Sequence, residues 1–342
     1  MRLKKQLLGS LLVVIVVLSI VVATTKQQKG FVTGQPTGAL NLSDILDSEE
    51  LGEYHLMSAA IITGNTVDFS GLGAGPDDPF EIASITKIFT GELLRLQIER
   101  GEITESTTVG DVLGERVADS LIRDITVEEL ANHTSGLPRL GNVGLRPFMA
   151  TFFDKNPYKD LSADRVISIS TTSKLNSRGE FHYSNLGFAL LGQVLARNAG
   201  LTFDQLLDRD LLAPLNLNNT KLMTPESLAQ DAPQGFSTPG KQVEAWEMDG
   251  FLPAAGLRST ARDMAVFCQY LFTKGPAPFT WQSLESAPEI VWHNGESFGY
   301  SSVLFFNTAT TTAIFVAADV ATSVFPIGHE LLMANSTRQE SK

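Results

Sequence analysis

A serine hydroxyl becomes a nucleophile only beside a group that takes its proton, so serines near bases or on special turns come first. Two stretches qualify. VWHNGESFGY, residues 291 to 300, contains Gly295-Glu296-Ser297-Phe298-Gly299, the G-x-S-x-G form of a nucleophile elbow, overlapping His293-Asn294-Gly295. EIASITKIFT, residues 81 to 90, places Lys87 three positions after Ser84. On a helix that spacing puts hydroxyl and amine on one face, about a turn apart. A lysine can act as the base if desolvation or neighbouring cations lower its pKa, and a helix N-terminus packed under a sheet supplies both.

The elements around Ser297 do not suit an elbow, which needs a strand before the serine and a helix after it. YSSVLFFNTATTTAIFVAADV is β-branched and aromatic with polar breaks, and reads as strand, turn, strand. The order Ser297, Asp319, His329 does match a serine, acid, histidine triad. Too little chain follows Gly299, however, for the strands and helices that such a fold still requires. Around Ser84 the pattern is helical, with Ile85, Ile88, Phe89, Leu93, Leu94 and Leu96 on one stripe and Gly101 as its stop. Two further motifs keep Ser84 company: Tyr183-Ser184-Asn185 at the entrance to the helical segment SNLGFALLGQVLARNAG, and His293-Asn294-Gly295 on a strand near the far end.

Strand-like segments lie at both ends of the chain. YHLMSAAIITGNTVDFSG reads as a hairpin, and EIVWHNG, GYSSVLFFN and TTTAIFVAADV as later strands. Residues 102 to about 245 are rich in helices and loops, and PIGHELLMAN closes the chain as a helix. The expectation is one α/β lobe built from residues of about 50–100 and 250–342, and one mainly helical lobe from about 101–249. GLGAGPDDPF is a loop and not a dinucleotide fingerprint, because its glycine spacing and the missing helix start are wrong for one.

The chain has 342 residues, 43% hydrophobic and 19% charged, enough to bury a core without disulfides. Its one cysteine, Cys268, falls in a helical pattern and reads as a buried small hydrophobe. MRLKK precedes an uncharged apolar run from Leu7 to Ala23. Residues 1–23 are expected to be retained as a membrane anchor, with cleavage as a signal peptide the alternative, and 24–41 to be a polar linker to a domain at 42–342. Either way the remainder would be exported. Without Arg2, Lys4 and Lys5 the chain keeps 23 basic against 38 acidic residues, a net charge of −15. Such a surface repels nucleic acid.

SITK, YSN and HNG, with NHTSGLPR at 132–139 and GLRSTARDMAVF at 256–267, resemble the serine β-lactamase-related family of class C β-lactamases, D-alanyl-D-alanine carboxypeptidases and related esterases. The resemblance spans about residues 50 to 325. It implies a β-lactamase/transpeptidase-like α/β (α+β) fold, an antiparallel sheet flanked by helices with a mainly helical lobe beside it. It implies Ser84 as the acylated nucleophile, and Lys87 with Tyr183 as the proton-transfer pair. Asn185 would hold the amine and the substrate amide, and His293 would line the opposite wall. The N–H groups of Ser84 and of Glu296, after Gly295, would form the oxyanion hole. No metal or organic cofactor is implied, and the substrate would be a peptide, amide or ester related to cell-wall D-alanyl peptides. His133 is expected to brace a turn, and Arg139 and Arg258 to be structural ion-pair partners. Glu296 departs from the small or hydroxylic residue expected there: facing the cleft it would repel a substrate carboxylate, and facing away it would not. A catalytically idle wall-peptide-binding module and an α/β-hydrolase using Ser297 are the alternatives.

Overall fold

The structure is a computed structural model that describes residues 34–39, 42, 53–153, 155–228, 234–238 and 240–340. The apolar run at 7–23 and most of the linker lie outside the described residues. Among those described, no helix is long and apolar enough to cross a membrane.

Seven strands form one antiparallel sheet: β1 (Pro36–Gly38), β2 (Met57–Thr63), β3 (Thr66–Leu72), and then β7 (Gln282–Leu284), β8 (Ala287–Glu296), β9 (Ser301–Asn307) and β10 (Thr312–Ala318). Their spatial order is β1-β3-β2-β10-β9-β8-β7, so the two ends of the chain meet where β2 pairs with β10. Side chains alternate between faces along a strand, and β2 shows it. Ala60 and Ile62 enter the larger core, while Met57, Ala59 and Ile61 enter a second core on the other face. The second core is closed by the C-terminal helix (Phe325–Glu340), which brings Ile327, Leu331 and Leu332 to it.

On the larger core's side lie the helices. α1 (Thr86–Glu99) and α6 (Asn185–Asn198) are buried along most of their lengths. Between them in sequence come α2 (Val109–Leu113), α3 (Val127–Ala131), α4 (Leu145–Phe152) and α5 (Ala163–Thr171); α7 (Phe203–Leu207), α8 (Leu252–Ala255) and α9 (Ala261–Lys274) follow. The starts of α2 and α3 are fixed by capping boxes, Thr108 with Asp111 and Thr126 with Glu129. A small sheet, β4 (Phe80–Glu81), β6 (Leu257–Ser259) and β5 (Lys221–Leu222), ties the start of α1 to the segment before α9. The mixed architecture agrees with the fold class expected from the sequence. Cys268 is buried, and burial pushes its thiol up from the ordinary range.

Candidate active site

Ser84 does not open α1 directly. It sits in a single 3-10 turn, Ala83–Ile85, that leads into the helix, and Ala83 before it takes the left-handed conformation at φ 42°. A non-glycine residue there is held against its own preference, so the surroundings must fix it. Ile82 supplies the anchor: its N–H donates to Leu257 O at 3.0 Å, and its carbonyl accepts from Ile85 N–H and from Ser302 Oγ, each at 3.0 Å. Gly295 presses against the same carbonyl; a Cβ on it would lie 2.1 Å from Ile82 O, so only glycine fits. The HNG motif thus holds the Ser84 turn by close backbone approach.

The Lys87 side chain is fully buried, and its Nζ has three oxygen neighbours: Asn185 Oδ1 at 2.8 Å, Ala254 O at 2.8 Å and Ser84 Oγ at 3.0 Å. Asn185 is oriented in turn, its Nδ2 donating to Tyr158 Oη at 3.1 Å. Burial, aided by the Arg139 guanidinium, holds the Lys87 amine well below the usual lysine range. A neutral amine has two hydrogens and one lone pair. The two carbonyl oxygens can take the hydrogens, which aims the lone pair at the Ser84 hydroxyl.

Tyr183 Oη donates to Ser84 Oγ at 2.8 Å. Burial pushes the phenol up to about 12, against opposing effects of the Ser84 hydrogen bond and of Arg139, so it stays protonated as a donor. The Lys87 amine also lies 4.8 Å from the Tyr183 ring centroid. Two groups, the Lys87 amine from α1 and the Tyr183 phenol at the entrance to α6, therefore converge on the Ser84 oxygen.

The loop 132–139 holds Tyr183 and Asn185 in place. His133, at φ 60°, accepts from Ser184 N–H on Nδ1 at 3.1 Å, and its carbonyl accepts from His182 N–H at 2.8 Å. Ser184 caps α6: its Oγ accepts from Gly187 N–H and donates to Pro138 O, both at 2.8 Å. His133 is thus the turn brace that its sequence context suggested. His293 is buried, its ring centroid 6.5 Å from that of Tyr183, and its Nδ1 is 2.7 Å from Asn294 O. Burial and the Lys87 charge hold His293 down to about 3 and His133 to about 2, so both rings are neutral.

Glu296 ends β8 opposite Ser301. Its exposed side chain shares a face with Asn294, whose Nδ2 donates to Glu296 Oε1 at 3.2 Å, opposite the face on which Gly295 meets the Ser84 turn. Its charge still raises the Tyr183 phenol, as the weakest of the influences there. Arg258 is buried beside Glu81 and donates to Tyr300 Oη at 3.1 Å, a structural position. Arg139 differs from expectation. It is exposed, its guanidinium lies 5.4 Å from the Tyr183 ring centroid, and among the described residues no carboxylate pairs with it.

The Ser297 constellation is not assembled. Ser297 enters a tight turn, its N–H donating to Tyr300 O at 2.9 Å, and strand β9 follows instead of a helix. Asp319 is bound to His55 Nδ1 and Leu56 N–H, both at 2.8 Å. His329 lies on the C-terminal helix between Phe305 and Phe325. Sequence reasoning missed Tyr158 and the Ala254 carbonyl. Neither carries a motif signal, because a backbone acceptor can be any residue and a lone tyrosine reads as core.

A family model described as Beta-lactamase matches residues 49–277. The chain belongs to that family. Among curated relatives, it is 29% identical over 257 residues to beta-lactamase-like protein 2 of Dictyostelium discoideum, covering 69% of this chain and 44% of that protein. It is 26% identical over 251 residues to penicillin-binding protein 4 of Amycolatopsis lactamdurans, covering 69% and 61%. The chain thus spans less than two thirds of the length of either relative. A solved structure of a beta-lactamase/D-alanine carboxypeptidase from Yersinia pestis superposes with a TM-score of 0.68 at 21% identity, covering 86% of this chain and 97% of that one. This likeness is one of fold.

Proposed function

We propose that this chain is an exported serine hydrolase working through an acyl-enzyme on Ser84, on peptide, amide or ester substrates related to cell-wall D-alanyl peptides. One observation carries the reading. The buried Lys87 amine meets two carbonyl acceptors and one hydroxyl, and the hydroxyl is that of Ser84. In the acylation step Lys87 takes the Ser84 proton as Oγ bonds to the substrate carbonyl carbon, and the N–H groups of Ser84 and Glu296 receive the oxyanion. The proton passes through Tyr183 to the leaving amine or alcohol as the old bond breaks. Water then enters, gives a proton back along the same route, and releases the acid with Ser84 restored. Asn185 holds Lys87 and the substrate amide, and His293 and Gly295 shape the opposite wall.

Export is supported by the basic start and apolar run at 1–23 and by the acidic remainder. The wall-peptide reading draws support from the Yersinia pestis protein, described as a beta-lactamase/D-alanine carboxypeptidase, and from the penicillin-binding relative. The test is hydrolysis of an N-acylated peptide ending in D-alanyl-D-alanine beside p-nitrophenyl acetate and nitrocefin. The expected result is turnover of the peptide and the ester that disappears in Ser84→Ala, with nitrocefin slower. Fast nitrocefin turnover would overturn the substrate assignment, and activity surviving in Ser84→Ala would overturn the mechanism.

A further inference from the structure

The chain carries 38 acidic residues, and Arg95, Arg100, Arg116, Arg178, Arg197 and Arg262 each pair with one. Arg139 does not. Among the described residues its guanidinium meets no carboxylate, and it lies instead over the Tyr183 ring, 5.4 Å from the centroid. Its backbone is fixed from behind. Leu186 N–H donates to Arg139 O at 3.0 Å and Ser184 Oγ donates to Pro138 O at 2.8 Å, so the end of this loop is bonded to the same entrance of α6 that carries Tyr183. The side chain itself is exposed, and a molecule in solution can reach it. A guanidinium over an aromatic ring keeps N–H groups along its edge, in the fork that matches a carboxylate. Its field also reaches inward, onto Lys87, Tyr158 and Tyr183.

The opposite wall has the reverse character. Strand β8, Ala287–Glu296, contains no lysine or arginine, His293 on it is neutral, and it ends in the exposed carboxylate of Glu296. We infer that Arg139 is a specificity residue that binds a carboxylate on the leaving half of the substrate, so that the anion is held from the helical side and not from the sheet edge. Tyr183 sets which half. The departing amine or alcohol has to come within hydrogen-bond distance of the Tyr183 hydroxyl to receive its proton, and Arg139 stands over that same residue's ring. Attraction to Arg139 and repulsion from Glu296 act in the same sense on such an anion. An acid is then favoured over its neutral amide, both by charge and by a forked pair of N–H bonds. This rests on the acyl-enzyme reading of Ser84 and adds which leaving groups that site prefers and through which residue.

The experiment uses the full chain in detergent and two pairs of substrates that differ only in the leaving half: N-acetyl-D-alanyl-D-alanine against its C-terminal carboxamide, and 3-carboxyphenyl acetate against 3-carbamoylphenyl acetate. A third pair, N-succinyl- against N-acetyl-D-alanyl-D-alanine carboxamide, moves the carboxylate to the acyl half. All are measured on the pH plateau above the acid limb. Each result is read as a ratio of kcat/KM, acid over neutral partner, so that a change in Lys87 basicity cancels. In the unaltered chain the leaving-half ratios should be about five- to tenfold and shrink with added salt, and the acyl-half ratio should be near one. Arg139→Gln should bring the leaving-half ratios to near one, through KM more than kcat, and Arg139→Lys should keep part of them. The fold should survive both substitutions because the side chain is exposed, and thermal melts check this. A leaving-half ratio of one or less in the unaltered chain, a ratio unchanged in Arg139→Gln, or an Arg139-dependent preference for the succinyl substrate overturns the assignment and leaves the acyl-enzyme reading standing. If the unaltered chain turns over none of these substrates, or Ser84→Ala turns them over as well, the acyl-enzyme reading itself fails, and the assignment falls with it.

Discussion

Ser84 and Ser297 both stand on tight turns, and both touch the region where β4, β8 and the start of α1 meet. Ser84 has an amine at 3.0 Å and a phenol at 2.8 Å on its oxygen. Ser297 has instead the carboxyl of Glu81, a group that burial pushes up and that also accepts the Trp246 N–H at 3.0 Å. A serine bonded to a buried carboxyl and capping its own turn through Gly299 N–H is part of the frame. The contrast shows that the local pattern around a serine counts for less than what the fold brings to it from elsewhere. G-x-S-x-G carries more sequence information than S-x-x-K, yet of the two serines only Ser84 has an amine and a phenol at hydrogen-bond distance.

The largest expected effect separates the two serines directly. Ser84→Ala should lower kcat/KM by at least about 10³-fold, while Ser297→Ala should stay within a few-fold of the unaltered protein. Equal losses in the two variants would erase the distinction. Next, Tyr183→Phe keeps the ring against Lys87 but removes the O–H that reaches Ser84 Oγ, and should cost about 10²-fold in kcat with little change in KM.

In the proposed mechanism the Lys87 amine is the base and must be unprotonated, and it is held well below the usual lysine range. Activity should therefore fall as pH drops through that lowered value, giving an acid limb below the ordinary lysine pKa of 10.5. Arg139→Gln removes a positive neighbour that disfavours Lys87 protonation, so it should move the acid limb upward. A limb that stays put would show that burial alone sets the amine.

Stability should carry its own pH signature. His133 and His293 are held at about 2 and about 3, below their unfolded value of 6.5, so between those limits the unfolded chain binds protons that the folded one refuses. Their contribution is complete above pH 6.5 and is lost as pH falls from 6.5 toward 3. Thermal melts across this range should show the decline, and His293→Gln should flatten it. The smallest effect belongs to Glu296→Thr. Because that carboxylate is exposed and on the far face from Gly295, turnover of the anionic nitrocefin should rise only about two- to fivefold. A hundredfold rise would mean that the side chain reaches the cleft.

Much of this was legible in the sequence, for identifiable reasons. Runs of β-branched and aromatic residues interrupted by polar turns, around residues 57–72 and 301–318, marked strands, and the break at Gly101 marked the end of α1. Ser84, Lys87, Tyr183 and Asn185 could be named because each belongs to a short motif at an element boundary. What stayed hidden is what depends on long-range packing. Nothing local to Ala83 announces its left-handed backbone, which is imposed by Leu257, Ser302 and Gly295 on the adjacent Ile82. The Ala254 carbonyl becomes a ligand of Lys87 only because α8 packs on α1. Arg139 looked like an ion-pair partner because arginines usually are, and its place over Tyr183 follows from the course of a loop.

The central claim is that Ser84 is acylated because a desolvated amine takes its proton, and an active-site adduct tests it most directly. The full chain in detergent would be treated with a fluorophosphonate, digested, and the modified residue located by mass spectrometry. The expected result is one adduct on Ser84, lost in Ser84→Ala and Lys87→Met and kept in Ser297→Ala. An adduct on Ser297, or undiminished labelling after removal of the Lys87 amine, would contradict the account.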